Sequence, residues 1–204
     1  EWDFCSGDLK LDSVTEAALG TVAAQSYQTR LLSDAGNWYM FVLAGTSNQL
    51  FRINLGNSPA NPLGAVDNLG NVGGLFSAPF GITFIKEAGN WYALATNTAS
   101  LIRLSFGNSL ANTPTASTVT LPGGTLSGAR RIEHLYEQDS LVILITNTTS
   151  RRVRIINFGS SINNAIQATD TATTAQINLI GLFGISAIKE CGNWIAVVSG
   201  TSSG

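Results

Sequence analysis

The sequence predicts an all-β fold, a β-propeller of four-stranded antiparallel blades with a period of about 50–53 residues. Three observations lead there. A motif recurs at that interval, each interval divides into four short strand-like runs, and no stretch carries a 3.6-residue apolar stripe. Gly36-Asn37-Trp38-Tyr39 returns 53 residues later as Gly89-Asn90-Trp91-Tyr92, and after a further 103 residues as Gly192-Asn193-Trp194-Ile195. Glu137-Gln138-Asp139-Ser140 holds the intervening place without the Trp. Arg52, Arg103 and Arg154 follow at spacings of 51 and 51. A parallel β-solenoid is the competing all-β arrangement, but its repeats are usually shorter.

The elements follow in chain order. Residues 1–23 read as a half blade, with Trp2-Asp3-Phe4-Cys5-Ser6 ending a third strand and Leu11 to Leu19 forming a fourth. Whole blades are expected at 24–73, 74–124 and 125–180. The second shows the pattern most fully. Gly81 to Lys86 is an apolar run, Glu87-Ala88-Gly89-Asn90 a turn, and Trp91 to Asn97 the next strand. Thr98-Ala99-Ser100 then turns into Leu101 to Phe106, and a loop over Gly107 to Pro114 leads to Thr115 to Leu121. Residues 181–204 supply a first strand (Gly184 to Lys189) and a second (Ile195 to Ser199).

Three whole blades and two complementary halves admit two arrangements. Pairing the halves closes a four-bladed ring and removes the sheet edges. Alternatively the propeller continues beyond this chain, which an ending inside a repeat favours. Glu1 opens the sequence with neither Met nor an apolar leader, which reads as a processed terminus or an excised fragment.

Composition narrows the chemistry. In 204 residues only 12% are charged and the net charge is −2, so no general attraction to nucleic acid or acidic lipid is expected. No apolar run approaches the roughly 18 residues of a membrane span. Three Lys, with abundant Thr, Ser, Asn and Gly, suit a secreted or cell-surface protein. One His and two Cys leave little for metal or nucleophile chemistry. No calcium loop, phosphate-cradling loop or Cys/His set is present, so neither metal nor cofactor is expected. No catalytic residue is nominated, since His134 has no evident nucleophile or acid partner.

Several residues carry alternative readings. Trp38, Trp91 and Trp194 suit packing between blades, or a ligand platform for sugar rings. Arg52, Arg103 and Arg154 suit contacts between strands or blades, and Glu87, Glu137 and Glu190 recur near them as candidate ion-pair partners. Arg130, Arg131, Arg151 and Arg152, with Arg154, form a candidate basic patch for an acidic glycan or partner. Cys5 and Cys191 would meet in a closed ring as a candidate disulfide, or remain small apolar side chains.

The unit Ile85-Lys86-Glu87 through Trp91, with Asn97 to Pro114, Gly36 to Pro59 and Lys189 to Trp194, resembles propeller repeats of very large secreted proteins of gliding Bacteroidota. The resemblance implies a non-catalytic surface or adhesion module, exported by type IX secretion and used in gliding motility. Its partners would be other domains of the same large protein, a surface assembly, or glycans. It also implies O-glycosylation where Asp-Ser/Thr-apolar triplets occur, at Ser13, Ser140 and Thr171. The expected function is therefore a binding or scaffold module and not an enzyme. The alternative is a propeller glycan lyase or hydrolase using carboxylates of the channel.

Overall fold

The structure, a computed structural model, describes residues 26–201. The half blade expected at 1–23 lies outside the described residues, as do Cys5 and Ser13. The first sheet comprises β1 (Ser26–Asp34), β2 (Asn37–Ala44), β3 (Gln49–Gly56) and β4 (Val66–Gly70). The second has β5 (Gly81–Glu87), β6 (Asn90–Thr96), β7 (Leu101–Gly107) and β8 (Thr115–Val119). The third has β9 (Ala129–Glu137), β10 (Ser140–Asn147), β11 (Arg152–Gly159) and β12 (Thr171–Thr173). A two-stranded sheet of β13 (Ile180–Glu190) and β14 (Asn193–Thr201) follows.

Within each sheet the strands pair in sequence order and antiparallel, which excludes the solenoid. First strands contact one another from sheet to sheet, β1 with β5, β5 with β9 and β9 with β13. The protein is a β-propeller, and its first strands lie innermost.

Alternating side chains place one core between each pair of sheets. Phe41, Leu43 and Leu50 meet Ile82, Phe84, Trp91 and Phe106 between the first two blades. Ile85, Leu94 and Leu101 turn to the other face and meet Ile132, Ile143, Ile145 and Phe158. Leu135, Leu144 and Val153 then face Ile185, Trp194 and Val198. The central sheets are thus buried on both faces, and β5, β6 and β10 read as largely apolar runs, whereas β9 carries Arg130, Arg131, Glu133 and His134.

Repeated backbone devices explain the repeated polar motif. Register shifts fall at Trp38/Tyr39, Trp91/Tyr92 and Leu141/Val142, opposite Gly56, Gly107 and Gly159. These three glycines have φ of 68°, 68° and 65°, the left-handed conformation that a glycine bulge requires. Just beyond, Asn61, Asn112 and Asn164 donate their side-chain N–H to the carbonyls of Leu55, Phe106 and Phe158. Gly56-Asn57-Ser58, Gly107-Asn108-Ser109 and Gly159-Ser160-Ser161 are therefore each a bulge followed by a side-chain-pinned loop.

Candidate functional site

The recurring residues form joints between blades. Asp34, at the end of β1, accepts from the Trp91 indole N–H at 2.8 Å, the Leu110 backbone N–H at 3.0 Å and Lys86 Nζ at 3.3 Å. Glu137, at the end of β9, accepts from Trp194 and Lys189 of the last sheet in the same way. Glu87 accepts from Ser161 Oγ at 2.6 Å and Ile162 N–H at 2.8 Å. Its blade partner has Leu141 in place of the Trp and Tyr136 in place of the Lys, so both donors are lost together. Burial acts to raise the Asp34 pKa. The donors Trp91, Leu110, Ser109 and Lys86 outweigh it and hold the carboxyl below its ordinary value. Glu137 is likewise held low, by Lys189 and then Trp194.

The third-strand arginines grip the other side of the same loop. Arg52 donates to the Leu110 carbonyl at 2.6 Å and Arg103 to the Ile162 carbonyl at 2.8 Å. Arg154 instead reaches back to the Pro122 carbonyl at 2.8 Å. No ion pair joins these arginines to Glu87, Glu137 or Glu190 among the described residues; Arg52 pairs with Asp67 of its own blade. Trp91 is only 8% exposed and its N–H is taken, so it offers no stacking face. Trp38 and Trp194 are half-buried, and Trp194 packs against the core between the third and last sheets.

The other expected residues disperse. Arg130 and Arg131 lie on innermost β9, whereas Arg151 and Arg152 lie at the turn into β11, where Arg152 donates to the Thr174 carbonyl. Cys191 is exposed in the β13–β14 turn. Ser140 opens β10, and Thr171 opens β12 with its hydroxyl donating to the Ala168 carbonyl.

A different set converges on the axis. Counting back from the acids that end the first strands aligns Arg30, Thr83, Glu133 and Ser186 at one level. Arg30 donates to the Ile82 carbonyl at 3.0 Å and the Ile132 carbonyl at 3.4 Å, and pairs with Glu133 at 3.5 Å. It thus reaches from the first blade past the second to the third, which requires its side chain to cross the inner face. Thr83 Oγ1 lies 2.7 Å from His134 Nδ1. Burial pushes the His134 pKa down, Glu133 opposes this and Arg30 adds to it. One level outward, Tyr27, Phe80, Arg130 and Phe183 occupy equivalent positions at the strand entries. Sequence reasoning already weighed Arg130 and His134, but it missed Arg30, Thr83, Glu133, Tyr27, Phe80 and Phe183 because it followed what recurs. The usable signal was the reverse: first-strand positions where the repeat breaks its own pattern. Among the described residues no group of three His, Cys, Asp or Glu is close enough to hold a metal ion.

No family model matches the sequence, and no curated protein does. Solved structures do match. An exo-β-1,3-galactanase from Phanerochaete chrysosporium, crystallised with β-1,3-galactotriose, aligns at a TM-score of 0.65 and 11% identity over 87% of this chain and 44% of its own. A GH43 enzyme from Xanthomonas citri aligns at 0.55 and 10% over 86% and 66%. A bifunctional GH43-CE protein of Bacteroides eggerthii aligns at 0.53 and 14% over 87% and 26%. The chain therefore spans less than half of the galactanase, and at these identities the likeness establishes the propeller fold.

The expectation of a non-catalytic adhesion or scaffold module, and not an enzyme, is corrected by these matches, which are carbohydrate-active enzymes. The physical reason lies in the acids. Asp34, Glu87 and Glu137 do repeat with the blades as structural joints, and this periodicity concealed Glu133, which does not repeat and sits at the inner level.

Proposed function

We propose that the protein cleaves glycosidic bonds and that this propeller forms part of its catalytic fold. The observation that carries the reading is the alignment of 87% of the chain with the galactanase propeller. Glu133 supports it from within. It is one-quarter exposed, held by Arg30, and stands on an inner strand where the neighbouring blades have uncharged Thr83 and Ser186.

Glycoside hydrolysis generally needs two carboxyl groups flanking the scissile bond, one protonating the leaving oxygen and one acting as base or nucleophile. Glu133 is assigned one of these roles, and Arg30 positions it. Among the described residues no second carboxylate shares that level. Polymeric glycans lie outside cells, in keeping with a secreted protein.

The test is hydrolysis of a polysaccharide panel, β-1,3-galactan included, by the complete protein and its Glu133→Gln variant. Release of sugar by the wild type and a loss of at least about 100-fold in the variant are expected. No hydrolysis of any substrate overturns the reading, and full activity in the variant removes Glu133 from it.

A further inference from the structure

The strand entries β1, β5, β9 and β13 bring together side chains that no repeat motif explains. Tyr27 and Phe80 pack with ring centroids 4.4 Å apart and planes tilted by 34°. The Arg130 guanidinium carbon lies 3.6 Å from the Phe80 centroid and 5.7 Å from that of Phe183. These four and Arg131 line a cavity of about 180 Å³, and Arg131 continues into an adjoining open hollow beside Tyr27, Gln28 and Thr29.

Charge here is unbalanced. Arg30, Arg130 and Arg131 lie on the inner strands, and the nearby carboxylate, Glu133, is engaged by Arg30. Arg130 Nε is buried with no hydrogen-bond partner among the described residues, an arrangement costly enough to need a reason. Arg131 is held below the usual arginine range by burial and then by Arg30, as expected for a cation lacking a counter-charge. Aromatic faces accept the flat apolar side of a sugar ring, and a guanidinium fork accepts a carboxylate in two parallel hydrogen bonds. The cavity is smaller than the several hundred Å³ of a typical small-molecule site, which suits one ring.

We propose that this mouth binds a single acidic sugar residue, a uronate, with its ring against Tyr27, Phe80 and Phe183 and its carboxylate on Arg130 and Arg131. The inference rests on the glycosidase reading and adds the charge of the glycan recognised there.

The test is calorimetric titration of the complete protein with glucuronate and galacturonate, against glucose and galactose, beside the hydrolysis panel. Uronate binding at least 10-fold tighter than neutral sugar is expected. Arg131→Gln should remove that preference while the circular-dichroism spectrum stays unchanged. Phe183→Leu, at a side chain 47% exposed, should weaken both sugar types and serves if the arginine variant does not fold. Equal affinity for charged and neutral sugars, or a preference that survives Arg131→Gln, overturns the acidic site. Hydrolysis of neutral glycans without uronate binding overturns it too and leaves the glycosidase reading standing. Uronate binding without hydrolysis supports the site and overturns that reading.

Discussion

Trp91 donates its indole N–H across the blade boundary to Asp34 at 2.8 Å, and the Lys86 ammonium lies 4.9 Å from the same indole ring. One tryptophan therefore fills the inter-blade core and satisfies a carboxylate that is itself only 5% exposed. The recurrence of acid, Lys and Trp is the recurrence of this joint.

Trp91→Phe keeps most of the apolar volume but leaves Asp34 one donor short. A loss of about 1–2 kcal/mol in unfolding free energy is expected. Asp34→Ala strands Trp91, Lys86 and the Leu110 N–H together and should cost about 3 kcal/mol. Chemical denaturation measures both; an unchanged midpoint for Asp34→Ala would show that the joint contributes nothing.

Stability should fall as pH drops through the His134 range. Its folded pKa lies below the ordinary 6.5, so the unfolded chain takes up the proton first and gains free energy relative to the native state. The loss begins near pH 6.5 and ends once the folded value is passed. Asp34 works in a separate window, because its depressed carboxyl gives stability that is lost only below its ordinary 3.8. Melting curves between about pH 5 and 7 should therefore slope for the wild type and flatten in His134→Gln.

The β9–β10 turn holds Gln138 and Asp139 at φ of 47° and 64°, where the other three first turns place Gly second. Asp139→Gly relieves a left-handed non-glycine residue and should stabilise by about 0.5–1 kcal/mol. That corresponds to a rise of roughly 2 °C in Tm. A lower Tm would show that the aspartate side chain compensates for its backbone.

Gly45 leaves the space that Tyr27 occupies, since a Cβ there would fall 1.9 Å from the Tyr27 ring and 2.7 Å from the Pro79 carbonyl oxygen. Gly45→Ala should displace Tyr27 from Phe80 and cost about 1–3 kcal/mol. A crystal structure of the variant with both rings unmoved would refute this.

The propeller was legible because its signal is redundant. Leu50 to Ser58, Leu101 to Ser109 and Arg152 to Ser160 each report the same strand and bulge, so losing the Trp at Leu141 did not hide the blade. The joints were half legible. Glu87 and Arg103 were visibly periodic, yet their shared target is Ile162, 75 and 59 residues further on, and no local spacing reveals such pairing.

Local sequence carries turn chemistry, strand alternation and period, because each depends on neighbours a few residues apart; those properties dictate a radial stack of β-sheets whatever the residues do. Which side chains share the axis depends instead on the rotation from one blade to the next. That rotation brings Arg30 to Glu133 across 103 positions and sets Arg130 between Phe80 and Phe183. Single substitutions at those places leave strand propensity unchanged, so nothing in the linear pattern marks them until packing makes them neighbours.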